Sequence, residues 1–282
     1  MLEFDIKGLF DNIDQELLIK AVSKHTECKW ELLYIKRWLT VPFQRPDGKI
    51  IKRDRGTPQG GVISPILANL FLHYGFDKWM EREFPNNPWC RYADDALIHC
   101  VSEKQAQYLK DRLEKRFREC KLEIHPDKTR IVYCKDSNRT EEKKNIEFTF
   151  LGYTFKPGKA KGHEDKVFTS FLPAISRKAK INITAEICGW RLLWMTQKSI
   201  DQIAEDINPA IRGWLNYYGR YGKRELARVL EKINFHLMQW VQRKYKKCKH
   251  RLQKAYQYLR RTHDINPKLF AHWEVGISPL TG

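Results

Sequence analysis

The tetrapeptide Tyr92-Ala93-Asp94-Asp95 constrains this chain more than any other feature. It stands between a strand that starts apolar at Trp89-Cys90 and the run Ala96-Leu97-Ile98, so two adjacent acids fall at a tight bend between two strands. Carboxylates about 4 Å apart repel by roughly 4 kcal/mol at an effective dielectric near 20, so a bound cation or a shared proton is expected there. Asp5 is a third acid of the same kind, on the alternating strand Leu2-Glu3-Phe4-Asp5-Ile6. Hard oxygen donors in an open site suit Mg²⁺, and two such ions can activate an attacking hydroxyl and stabilise a leaving phosphate. An isolated Asp-Asp pair is more often only a polar turn, so the neighbourhood decides.

That neighbourhood mixes strands and helices in an α+β layout. Asp14 is placed to cap a helix carrying Leu17, Leu18, Ala21 and Val22. Val41 to Gln44 and Ile50 to Arg53 flank Pro46-Asp47-Gly48 as a β-hairpin does. Ser64 reads as an N-cap before Pro65, and Ser102 with Gln105 as a capping box. Strands are expected at Trp89 to Tyr92, Ala96 to Val101, Arg130 to Tyr133 and Phe148 to Phe155. Lys156 to Lys166, rich in Gly and Lys, reads as a linker or a hairpin loop. The rest is almost wholly helical by period, which divides the chain into residues 1–165 and 166–282.

Charge is uneven across that division. Of 282 residues 52 are basic and 34 acidic, a formal charge of +18, and residues 171–282 hold 21 basic against only 8 acidic side chains. A polyanionic partner, nucleic acid first, is the expectation. Arg243, Lys244, Lys246, Lys247, Lys249, Arg251, Lys254, Arg260 and Arg261 put nine cations and no acid into nineteen residues, interleaved with Tyr245, Tyr256 and Tyr258. Cations neutralise phosphates while rings stack on bases; Trp190, Trp194, Trp214 and Trp240 read as core. No apolar run reaches membrane-spanning length and no secretory signal opens the chain. Seven scattered cysteines without a C-x-x-C read as reduced thiols, so a cytoplasmic protein without zinc or membrane partner is expected.

Taken in order, the motifs resemble those of group II intron reverse transcriptase/maturases over nearly the whole length. Phe4-Asp5-Ile6-Lys7-Gly8-Leu9-Phe10-Asp11 resembles the first palm motif, Arg55-Gly56-Thr57-Pro58-Gln59-Gly60-Gly61 with Ser64-Pro65 the second, and Tyr92-Ala93-Asp94-Asp95 the third. Pro126-Asp127-Lys128-Thr129 is similar to the next motif, Phe150-Leu151-Gly152-Tyr153 to the primer grip, and Ile211-Arg212-Gly213-Trp214-Leu215-Asn216-Tyr217-Tyr218 to the maturase or thumb region. The resemblance implies a polymerase palm with an antiparallel sheet and flanking helices, followed by an all-helical thumb/maturase domain.

It also implies roles. Asp5 and Asp94, with the Ile6 carbonyl and Asp95, would hold two Mg²⁺ ions for RNA-directed DNA synthesis. Phe10 would reject a 2′-hydroxyl, Gln59 and Gly60 would meet the template or incoming nucleotide, and Lys128 would protonate the departing pyrophosphate. Leu151 and Gly152 would grip the primer. Gly56, Gly60 and Gly61 serve equally well as turn glycines or as close approaches to nucleic acid. Implied partners are an intron RNA template, a DNA primer and deoxynucleoside triphosphates. Only four residues precede Asp5, so the family's fingers region is expected on a separate fragment, through a homodimer, or lost; no nuclease domain is expected after Trp273. The competing reading is a non-polymerising RNA-binding remnant or splicing partner, against which three retained acids argue.

Overall fold

The computed structural model describes residues 1–44, 46–139, 141–161 and 167–279. They divide into two compact units. The first comprises Met1–Cys134 and Glu141–Ile146; the second takes 135–139 and everything from Glu147 onward. The boundary expected near 165 lies outside the described residues, and the division between the two units falls at Ile146/Glu147.

In the first unit β1 (Leu2–Phe4) is followed by α1 (Leu9–Asn12), α2 (Gln15–Val22), α3 (Lys29–Thr40) and the short hairpin β2 (Phe43–Gln44) and β3 (Ile50–Ile51). Then come α4 (Ser64–Leu72), a π-helical turn His73–Asp77, α5 (Lys78–Glu83), β4 (Trp89–Tyr92), β5 (Asp95–Ile98), α6 (Glu103–Glu119) and β6 (Arg130–Ile131). The sheet runs β4-β5-β1-β6, with its strands paired antiparallel. Leu2 and Phe4 of β1 and Ile98 of β5 sink into a core with Phe71, Phe76, Leu113 and Phe117 from the helices. Alternation on β1 therefore fixes the register, because a one-residue slip would bury Glu3.

Caps are close to expectation. Asp14 accepts from the Leu17 amide (2.9 Å) and Ser102 from that of Gln105 (3.1 Å). The Gln105 carboxamide reaches past Ser102 to the Val101 amide (2.8 Å). Ser64 is not an N-cap: it is already helical, with Ile63 before it, and donates to the Pro58 carbonyl (2.6 Å). A full capping box is formed at Ser199 and Gln202.

The second unit opens with β7 (Phe148–Phe150), β8 (Tyr153–Lys161) and β9 (Val167–Ile175), an antiparallel meander. The strand expected over Phe148–Phe155 is thus two strands joined by a two-residue turn at Leu151-Gly152. The stretch expected as linker or loop is largely β8, paired residue for residue from Tyr153↔Ile175 to Lys161↔Val167; the rest of it, 162–166, lies outside the described residues. After the meander the unit is helical: α7 (Arg177–Gly189), a 3₁₀ turn Leu192–Trp194, α8 (Ile200–Tyr218), α9 (Lys223–Lys244), a 3₁₀ turn Lys246–Cys248, α10 (Leu252–Ile265) and α11 (Ala271–Glu274). Ile183, Ile207, Ile211, Leu230, Ile233 and Trp240 form its separate core. The architecture is α+β. No helix among the described residues is long and apolar enough to cross a membrane. Cys28, Cys90 and Cys188 are exposed thiols.

Candidate active site

Strand register alone brings the acids together. The β1–β5 pairs Leu2↔Ile98, Glu3↔Leu97 and Phe4↔Ala96 place Asp5 next in line opposite Asp95, one step beyond the ladder. Tyr92↔Asp95 closes the β4–β5 hairpin, so Ala93 and Asp94 form a two-residue turn, with Ala93 at φ 53°. An alanine in the left-handed region is held there only by its surroundings. Arg91 does the holding: its Nη1 donates to the Ala93 carbonyl (3.0 Å) and to Asn69 Oδ1 (2.9 Å). The same guanidinium forms two 2.7 Å bonds to Asp77 on the π-helical turn. Both charges of that pair are largely buried, the geometry in which an Arg–carboxylate fork is strongest.

Asp5 faces a cation as well as the acids. Lys128 Nζ lies 2.9 Å from Asp5 Oδ2. The hydrogen bonds Lys7 N–H to Glu123 O and His125 N–H to Asp5 O (2.9 and 2.8 Å) dock 123–125 beside β1, and Thr129 N–H to His125 O (3.0 Å) turns the chain so that Lys128 returns over Asp5. The Asp5 carbonyl is thereby occupied, and since successive carbonyls of an extended chain alternate, that of Ile6 turns to the opposite side. Lys128 is held above the ordinary lysine range by its hydrogen bond to Asp5 and by the charges of Asp5, Asp94 and Asp95. The Asp95 carboxyl is pushed up by burial, then by the charges of Asp94 and Asp5. An ammonium already sits where these acids need positive charge.

Among the described residues no three His, Cys, Asp or Glu side chains are arranged to enclose a metal ion. Mg²⁺ does not require that, because it commonly keeps its waters and takes one or two carboxylates plus substrate phosphates. Carboxylate donors at an open strand end, mutually repelling and compensated by an exposed lysine, fit such an ion.

Around this group the second motif folds back on the first. Thr57 N–H donates to the Phe10 carbonyl (2.7 Å) and Gly56 N–H to that of Ile13 (2.7 Å). Phe10, on α1, is half-buried against the core. Gln59 Nε2 bonds both carboxylate oxygens of Asp11 (2.9 Å each). The glycines separate into two kinds. A Cβ on Gly56 would strike the Phe10 and Asp11 carbonyls at 2.7 Å and one on Gly61 would strike Ser64, whereas Gly60, at φ 79°, has open space. Gly56 and Gly61 are therefore internal fits, and Gly60 alone of the three leaves room for a ligand.

The remaining expected residues belong to the second unit. Leu151 (φ 49°) and Gly152 (φ 80°) form the β7–β8 turn, both left-handed. Tyr217 Oη donates to the Leu151 carbonyl (2.8 Å), Tyr153 Oη donates to the Tyr217 carbonyl, and Tyr218 packs under Gly152. The motif at 211–218 therefore braces the turn at 150–153. Of the cation run, Lys244 is committed to the fold, with its Nζ donating to the Lys198 carbonyl and lying 5.1 Å from the Trp240 ring centre. Arg243 lies 3.7 Å over Trp194, a ring left 66% exposed rather than buried as expected. Lys246, Lys247, Lys249, Arg251 and Lys254 are exposed and make no ion pair among the described residues. Tyr245 and Tyr258 bond each other (3.0 Å) against the core, so they are not free to stack on bases.

Sequence reasoning missed Arg91, Asp77 and Asn69. An arginine inside an apolar strand signals a buried acid partner, but which acid depends on the tertiary fold.

Comparison with known proteins accords with this geometry. A family model described as reverse transcriptase (RNA-dependent DNA polymerase) matches residues 1–155, and one described as the group II intron maturase-specific domain matches 182–259. Protein YkfC of Escherichia coli (strain K12) is 25% identical over 234 residues, 71% of this chain and 56% of that protein. The group II intron-encoded protein LtrA of Lactococcus lactis subsp. cremoris is 42% identical over 73 residues, 26% of this chain and 12% of that protein. This chain thus spans little more than half the length of the first of these relatives. A Candida albicans telomerase in complex with a fragment of telomeric RNA aligns with 96% of this chain and 47% of its own at 13% identity and a TM-score of 0.46. Acids at paired strand ends, a glycine loop folded against the first motif and a helical unit matching the maturase model converge on one assignment: the chain belongs to the reverse transcriptase family, among the group II intron reverse transcriptase/maturases.

Proposed function

We propose that this chain carries the palm and thumb of an RNA-directed DNA polymerase that also binds intron RNA as a maturase. The observation that carries the reading is the convergence of Asp5 and Asp95 across the β1–β5 register, with Asp94 on the adjoining turn. Asp5, Asp94, Asp95 and the Ile6 carbonyl would hold two Mg²⁺ ions, which supply activation of a primer 3′-hydroxyl and charge neutralisation at the leaving phosphate. The primer 3′-oxygen bonds to the α-phosphorus of a deoxynucleoside triphosphate as the bond to pyrophosphate breaks. The Lys128 ammonium, within reach of Asp5, would give a proton to that pyrophosphate. The half-buried Phe10 ring blocks a 2′-hydroxyl, the open backbone at Gly60 with Gln59 meets the template pair, and Leu151-Gly152 supports the primer. Exposed Lys246, Lys247, Lys249, Arg251 and Lys254, with Arg243, hold RNA through its phosphates.

Primer extension on an RNA template with Mg²⁺, using the full-length protein, tests the reading. Asp5→Asn and Asp94→Asn should each abolish extension while the chain stays folded. Activity above about a tenth of wild type in both, a difference of only about 1.4 kcal/mol in barrier, would remove the acids from the chemistry.

A further inference from the structure

Helix α3 has a face that its own unit does not use. Leu32 and Ile35 pack inward with the buried Leu39, while Trp30, Tyr34 and Trp38 face outward, 69%, 50% and 45% exposed. Three large rings in one column are a contiguous apolar surface of the kind that marks a binding site. Residues four apart on a helix are separated by about 6 Å along its axis, and the Tyr34 and Trp38 ring centres lie 6.4 Å apart. That repeat exceeds the roughly 3.4 Å stack of a duplex strand and suits bases drawn apart to lie against separate rings.

The charges beside the column favour a polyanion. Between Glu27 and Arg55 the sequence has eight basic residues and four acidic ones. Arg37 on α3, and Lys49 and Lys52 on and beside the β2–β3 hairpin, are exposed and form no ion pair among the described residues. Two of the acids are already engaged, Glu31 by the Thr26 hydroxyl (2.5 Å) and Asp47 by the Lys49 amide (3.1 Å). Gln15 Nε2 donates to the carbonyls of Leu39 (3.0 Å) and Gly56 (3.1 Å), tying both ends of the hairpin segment to α2. The hairpin therefore leaves from the end of the aromatic column on a fixed base.

We propose that Trp30, Tyr34 and Trp38, with Arg37, Lys49 and Lys52, bind single-stranded nucleic acid by stacking unpaired bases. This surface uses none of the acids at the strand ends. A strand can be held here whether or not the chain extends a primer, so the failure of one reading leaves the other standing. Every base has a π-face, so little sequence preference is expected.

The test uses the full chain, a fluorescein-labelled oligouridylate and anisotropy titration over a range of salt. Trp30→Ala/Tyr34→Ala/Trp38→Ala should weaken binding at least about tenfold with the log-log salt slope unchanged, because rings release no counterions. Lys49→Glu/Lys52→Glu should lower the slope. Unchanged affinity in the folded triple variant overturns the proposal. So does a concentration-dependent dimer, seen by sedimentation and lost in the triple variant while oligouridylate affinity holds, since the face then belongs to a second copy. If the triple variant does not fold, Trp30→Ala and Tyr34→Ala singly should each lose about fivefold, and two unchanged affinities reject the idea.

Discussion

Lys128 lies within hydrogen-bond reach of Asp5 and within the fields of Asp94 and Asp95, so it already does part of what a metal ion would do there. Removing it leaves three acids without that compensation. Lys128→Met should lower thermal stability in EDTA, and Mg²⁺ should raise Tm more in the variant than in wild type, because an uncompensated acid group binds a cation more tightly. No Mg²⁺ shift in either protein would show that the acids take no Mg²⁺. At this scale the sequence exposed each acid of the candidate site but few of their partners. Asp94-Asp95 and Asp5 stood out because acids are costly among apolar strand residues, a local property. The pairs Arg91–Asp77, Lys128–Asp5 and Gln59–Asp11 depend on which segments fold side by side, and nothing in their spacing announces it.

Elements were readable where a local signal set them and misread where two signals competed. Asp14 and Ser102 cap as their side chains dictate. The β7–β8 turn was hidden because Leu151 has no preference for the left-handed region, and a run of β-formers on both sides read as one strand. The turn is imposed by the tyrosines beneath it, which gives a direct test. Gly152→Ala puts a Cβ at 2.7 Å from Tyr218 Oη and keeps a φ of 80°. It should cost about 2 kcal/mol or more in urea unfolding. Adding Tyr218→Phe removes the closest atom but not the strained φ, so the double variant should lose less than the sum of the two singles. Strict additivity would mean that the turn does not rest on Tyr218. A second link, Lys180 Nζ to Glu225 Oε2 (2.5 Å), joins α7 to α9. The hydrogen bond from Lys180 holds Glu225 below its ordinary value of 4.5. A depressed carboxylate stabilises the fold above its unfolded pKa and loses that contribution as pH falls through the lower folded one. Glu225→Gln should therefore weaken the protein at neutral pH and flatten its stability loss below about pH 4.5, as followed by helical circular dichroism.

At the scale of the whole molecule, two separate cores carry two charge regimes. The near-balanced first half holds the acids, and the strongly basic second half holds the run from Arg243 to Arg261. Composition puts the surplus of one sign in the second half, and charge kept out of a core must lie on a surface, where it needs a counterion or a polyanion. It did not predict how the run is divided. Lys244 is drawn into the fold and Arg243 lies on Trp194, while Lys246, Lys247 and Lys249 on the 3₁₀ turn after α9 and beside it stay in water. That division sets a quantitative expectation for RNA binding by the full chain. Each cation that neutralises a phosphate on a single strand displaces about 0.7 of a counterion, so the log-log salt slope counts the phosphates contacted. Lys246→Glu/Lys247→Glu/Lys249→Glu removes up to three such contacts and should make the slope shallower by as much as about two. Affinity near physiological salt should drop with it. Lys244→Gln acts differently: its ammonium is occupied by the Lys198 carbonyl and the ring of Trp240, so stability should fall while the slope stays unchanged. A slope that ignored the three exposed lysines but followed Lys244 would invert the division, and would place the RNA against the buried end of α9 instead of its exposed extension.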